Sequence, residues 1–107
     1  MARGKFQTLT EQMFYILLCL RQERCGADVM AWVADATGSR VAVGPGLYNL
    51  LEQFLQAGYI RETKVEGRKR SYVLTPTGRE ALEAEARRLR QLTADYERLM
   101  ESEGGAP

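Results

Sequence analysis

The chain contains no histidine, which removes both Ser–His and Cys–His nucleophilic catalysis. Its two cysteines, Cys19 and Cys25, are too few for a structural zinc site, which takes about four Cys or His ligands. No run of about 18 apolar residues occurs, so no transmembrane helix and no membrane partner are expected. The opening MARGKFQTLTEQ lacks the apolar core of roughly 7–15 residues that a signal peptide needs, and a cytoplasmic location is expected. Gly44-Pro45-Gly46 lacks the lysine of a phosphate-binding loop. With no nucleophile–base pair, metal cluster or phosphate loop, the reading is a non-enzyme without cofactor or metal.

What is present is one domain with an appendage. A hydrophobic fraction of 45% over 107 residues is ordinary for a folded chain. A chain of this size buries roughly two-thirds of its unfolded surface, enough for a modest core. The net charge of +1 hides an asymmetry. Residues 1–75 hold ten bases against seven acids, and residues 76–107 hold five against seven. The stretch RETKVEGRKR, residues 61–70, concentrates five bases against two acids, as a local polyanion contact would need.

Thr8-Leu9-Thr10-Glu11 matches a capping box. The following spacing of Met13, Ile16, Leu17 and Leu20 predicts a helix to Gln22 or Glu23. Cys19 falls inside its apolar stripe as a buried small hydrophobe, and Cys25 is expected to be the more exposed. Gly26 breaks the helix. A second is predicted over Ala27 to Thr37, with Val29, Met30, Val33 and Ala36 inward and Trp32 off that stripe. A third starts near Pro45 or Gly46 and ends at Ala57, its apolar side formed by Leu47, Leu50, Leu51, Phe54 and Leu55, with Gly58 as the stop. YIRETKV and RKRSYVLT then read as two strands around a tight turn at Glu66-Gly67.

A long final helix is predicted to Met100 or Glu101, capped by Thr75 before Pro76 or by Thr77 with Glu80. Leu82, Leu89 and Tyr96 recur every seven residues, as do Leu92 and Leu99, and Glu85 interrupts the second row. That is a two-chain seam about three heptads long. Its charged residues read as a solvated face with pairs such as Glu83–Arg87. The expected fold is mostly α with a small β-hairpin, a winged helix-turn-helix with a long C-terminal dimerisation helix. The expected division is a winged-helix domain over 1–75, the dimerisation helix over 76–101 and a flexible tail over 102–107. In such an arrangement one helix enters the DNA major groove and the basic hairpin, the wing, holds the backbone.

FYILLCL, GADVMAWVADATGSRV, GPGLYNLLEQFLQAGYI, RKRSYVLTPTGREAL and EARRL together resemble the PadR-type winged-helix transcriptional regulators across nearly all of residues 9–100. The resemblance implies a dimer that represses promoters and releases DNA when an aromatic or hydrophobic effector binds. It implies that Tyr48 and Asn49 lie at the start of the recognition helix and that Lys64, Arg68, Lys69 and Arg70 form the wing. Gly46 stands where the family pattern has a Thr, and Cys25-Gly26-Ala27 where it has His-Gly-Tyr.

The exposed side of the recognition helix carries Asn49, Glu52, Gln53 and Gln56, with no base. Gln and Asn can read adenine edges, whereas Glu52 repels phosphate unless it meets a cytosine amino group. Phosphate contacts therefore fall to the wing and to Arg3, Lys5 and Arg40. Trp32 and Tyr96 are the candidate effector residues, and both also suit packing against a second subunit. The alternative function is a dimeric winged-helix interaction protein without specific DNA binding.

Overall fold

The computed structural model describes residues 8–102 of the chain. Helix α1, Glu11–Cys19, opens at Thr10 rather than Thr8. The Met13 amide donates to the Thr10 hydroxyl at 3.2 Å, and the Thr10 amide reaches the Met13 sulfur at 3.5 Å. Thioether sulfur thus fills the place expected of a carboxylate, and Glu11 is left free to pair with Arg40. The helix also ends before Gln22. The chain beyond it must extend, because Arg24–Cys25 form strand β1.

Helix α2, Gly26–Ala36, buries Val29 and Val33, half-buries Met30 and Trp32, and leaves Ala36 exposed instead of inward. The Thr37 hydroxyl donates to the Val33 carbonyl at 2.8 Å and accepts the Val41 amide at 3.1 Å, turning the chain. Helix α3, Leu47–Ala57, buries Leu47, Leu51 and Phe54 on one face. Gly58 follows at φ 79°, the left-handed conformation that ends a helix with least strain in glycine. The Tyr59 amide then returns to the Phe54 carbonyl at 2.9 Å.

Strand β2, Ile60–Glu66, and strand β3, Lys69–Leu74, pair antiparallel. Glu66 faces Lys69 across the end of the ladder, so the turn is Gly67-Arg68, one residue later than Glu66-Gly67. Gly67, at φ 63°, takes the left-handed position that a two-residue hairpin turn demands. The register slips between Glu62 and Lys64, a bulge at Thr63. The sheet has three strands in the order β1-β3-β2, with Arg24 opposite Tyr72 and Cys25 opposite Ser71. The winged-helix expectation therefore gains a short third strand, which ties the start of α2 to the wing.

Helix α4, Pro76–Ser102, is capped by Thr75, whose hydroxyl accepts the Gly78 amide at 3.0 Å. Proline suits the first helical position because its missing N–H would have no partner there. The first turns of α4 lie on the core formed by α1, α2, α3 and the sheet. Leu82 is 7% exposed and belongs to that core. Glu85, where the second heptad row is interrupted, is also buried and forms an ion pair with Arg88. That pair, not Glu83–Arg87, is the one this segment makes. From Leu89 to Ser102 no residue of α4 is buried. The tail expected beyond Ser102 lies outside the described residues.

Candidate nucleic-acid interface

Because Leu47, Leu51 and Phe54 turn inward, α3 presents Tyr48, Asn49, Glu52 and Gln56 outward, with Gln53 half-buried. The wing stands beside it with Lys64, Arg68, Lys69 and Arg70 all exposed. Arg70 is held by an ion pair with Glu62 on β2, and that carboxylate raises its guanidinium pKa above the ordinary value. Lys64, Arg68 and Lys69 have no acidic partner among the described residues, so their charge faces outward.

A cleft of about 400 Å³ lies between these elements. Tyr48 lines it from α3, and Arg68, Lys69 and Arg70 line it from the wing. Four further residues that the sequence reading did not select complete it: Cys25, Gly26, Ala27 and Tyr72. Cys25 is buried at its floor, not exposed as expected, because strand β1 draws it against β3. The Tyr48 ring lies over Gly26 so closely that a Cβ there would stand 2.7 Å from the phenol. Tyr72 is 3% exposed, and burial pushes its phenol pKa up, so it stays a neutral donor. One signal for Tyr72 was available: Arg70 and Tyr72 alternate along one strand and share a face.

Arg40 pairs with Glu11 and donates to the Tyr15 hydroxyl at 3.1 Å. Arg3 and Lys5 lie outside the described residues.

Trp32 is half-buried on α2 and Tyr96 lies on α4. The Arg24 guanidinium lies 5.6 Å from the centre of the Trp32 ring and also donates to the Cys19 carbonyl. Tyr96 is 65% exposed on the outer part of α4. A cleft of about 300 Å³ between α1 and α4 is lined by Leu9, Phe14, Tyr15, Glu85, Arg88 and Leu89, and by neither of those two residues. Of the expected seam, Leu89, Leu92, Tyr96 and Leu99 are exposed together with Met100, while Leu82 is spent in the chain's own core. Among the described residues no cluster of His, Cys, Asp or Glu could hold a metal, and no helix is long and apolar enough to cross a membrane.

Residues 16–84 match the model of the transcriptional regulator PadR-like family. Among solved structures, the chain is similar to a PadR family transcriptional regulator from Eggerthella lenta DSM 2243, with a TM-score of 0.70 and 20% identity over 85% of this chain and 79% of that one. It is also similar to H. salinarum RosR grown from NaBr, with a TM-score of 0.61 and 22% identity over 81% and 92% of the two chains. The hsRosR-S1 complex gives a TM-score of 0.60 and 22% identity over 87% and 96%. No curated protein matches the sequence. At these identities the structural likeness speaks for the fold.

Proposed function

This chain belongs to the PadR-like family of transcriptional regulators, and from that premise we propose that it represses transcription by binding operator DNA as a homodimer. It is a regulator and not an enzyme. The observation that carries the reading is the meeting of α3 and the wing at one cleft whose lining has three bases and no acid. In this reading α3 enters the major groove with Tyr48, Asn49 and Gln53 foremost, and Lys64, Arg68 and Lys69 hold the backbone. Arg70 contributes less, because Glu62 neutralises it.

Residues 1–75 act as the DNA-binding unit and residues 76–101 as the dimerisation helix. The exposed Leu89, Leu92, Tyr96 and Leu99 provide the second copy's contact, since apolar side chains at heptad spacing gain most by pairing. That pairing sets the separation of the two α3 helices, which must match half-sites about 34 Å apart. An aromatic or hydrophobic effector that favours a different separation lowers operator affinity, as any ligand that prefers one of two states does. Tyr96 is the residue best placed to meet such a ligand between subunits. Trp32, engaged by Arg24, acts in packing.

Selection from a pool of random duplexes tests the reading. Enrichment of a two-fold symmetric sequence is the expected result. A second reading, a dimeric interaction protein without specific DNA binding, is favoured by Glu52 on the outward face of α3 and by the Glu62–Arg70 pair. Failure to enrich any sequence over random duplex would select that alternative.

A further inference from the structure

We propose that the cleft between the start of α2 and the wing is a seat for one phosphate group, with the Tyr72 hydroxyl as its innermost donor. Tyr72 lines the cleft and is 97% buried, yet its hydroxyl makes no hydrogen bond with any described residue. Among the described residues no fully enclosed polar side-chain atom lacks a partner, so this hydroxyl opens into the cleft that its ring lines. A hydroxyl that opens from a buried ring into a cleft is held in one place and can donate to a group seated there.

Three further observations specify an anion. Helix α2 begins at Gly26 with Cys25 as its cap, and the Cys25 side chain accepts no bond from the first turn. Gly26 and Ala27 both line the cleft, so the start of the helix, the positive end of its dipole, borders it. The Tyr48 phenol, laid across Gly26, adds a second hydroxyl on the same wall. Arg68 and Lys69 at the rim have no ion pair among the described residues, and no acidic side chain lines the cleft. Two phenols, helix-start amides and two uncompensated bases suit a compact phosphate oxyanion better than a carboxylate. A cleft of about 400 Å³ leaves room for the attached sugar.

The expected occupant is one backbone phosphodiester per operator half-site. This assignment rests on the DNA-binding reading, whereas the seat itself does not. Tyr72→Phe removes the hydroxyl and keeps the core ring. The experiment combines it with operator duplexes in which single phosphates are replaced by neutral methylphosphonates. At one position in each half-site, wild type should lose affinity about three- to tenfold, the worth of one hydrogen bond. The Tyr72→Phe protein, already weaker by a similar factor, should lose less than wild type at that position and no less elsewhere.

A second arm titrates the full chain with inorganic phosphate and follows its backbone amide resonances. Saturable shifts at Gly26 and Ala27, weakened in Tyr72→Phe, establish the seat. If those shifts occur while no methylphosphonate position separates wild type from variant, the seat takes a free phosphate-bearing ligand and the backbone assignment falls. Unshifted amides together with an unaltered duplex affinity in Tyr72→Phe overturn the seat. Absence of selective duplex binding by wild type would count against the regulator reading alone, and the amide arm would still decide the seat.

Discussion

Gly78 and Tyr59 touch backbone to backbone: a Cβ on Gly78 would stand 2.0 Å from the Tyr59 carbonyl oxygen and 2.8 Å from a Leu74 methyl. The same carbonyl accepts the Thr75 amide at 2.9 Å, so the start of α4 is locked onto the chain leaving α3. Gly78→Ala must move a backbone, not a flexible side chain. Overpacking of this kind costs about 1–3 kcal/mol. Urea denaturation should show a lowered midpoint and an unfolding free energy reduced by about that much.

Gly26→Ala presents the opposite case. The obstacle there is the tip of Tyr48, which is 57% exposed and free to swing outward. Stability should change by less than about 1 kcal/mol, since alanine is also the better helix former. Operator affinity should nevertheless fall about three- to tenfold if Tyr48 donates to the backbone. Thermal melts and duplex titrations of the same variant separate the two effects.

Leu92→Glu and Leu99→Glu place charges on the exposed stripe of α4 without touching the chain's own core. An unpaired carboxylate buried between subunits costs several kcal/mol. Sedimentation equilibrium should find wild type as a dimer and the variants at the 12.1 kDa of one chain. Unchanged mass in both variants would remove this face as the seam.

Cys19 gives a pH prediction. Burial raises its thiol from the ordinary 9.0 to about 11, against a smaller opposing effect of the nearby Arg24 charge. The folded state thus holds the proton more tightly than the unfolded state. Its contribution to stability is complete below pH 9.0 and is lost as pH rises toward about 11. Cys19→Ala should be less stable at neutral pH, because it leaves a cavity, but should lose less between those two values. In wild type at pH 8, Cys19 should react with a thiol reagent only on unfolding.

The elements legible in the sequence were those that local chemistry decides. The stripe of α3 and the left-handed Gly58 after it need no tertiary information, nor does Thr75 before Pro76. The misplacements arose where distant partners won. Local preference continues the helix to Gln22 or Glu23, but it stops at Cys19 because β3 draws Arg24 and Cys25 into a sheet. Thr8 and Thr10 both suit a cap, and a sulfur contact with Met13 decided for Thr10. Leu82 and Glu85 follow heptad spacing yet lie in the chain's own core, because the first turns of α4 pack on α1. The basic rim of the candidate site was readable as composition. Tyr72 was readable only through the strand face it shares with Arg70, and Gly26 and Cys25 were not, since only the β1–β3 pairing brings α2's start beneath the wing.

The most direct test of the central claim is operator affinity measured across salt concentration for wild type and for the combined Arg68→Ala, Lys69→Ala, Arg70→Ala variant. Each phosphate contact contributes about 0.9 to the slope of log affinity against log salt. With Arg70 already engaged by Glu62, the variant should bind more weakly and lose about two units of slope per protomer. An affinity and slope equal to wild type would show that the wing does not hold DNA, and would contradict the account.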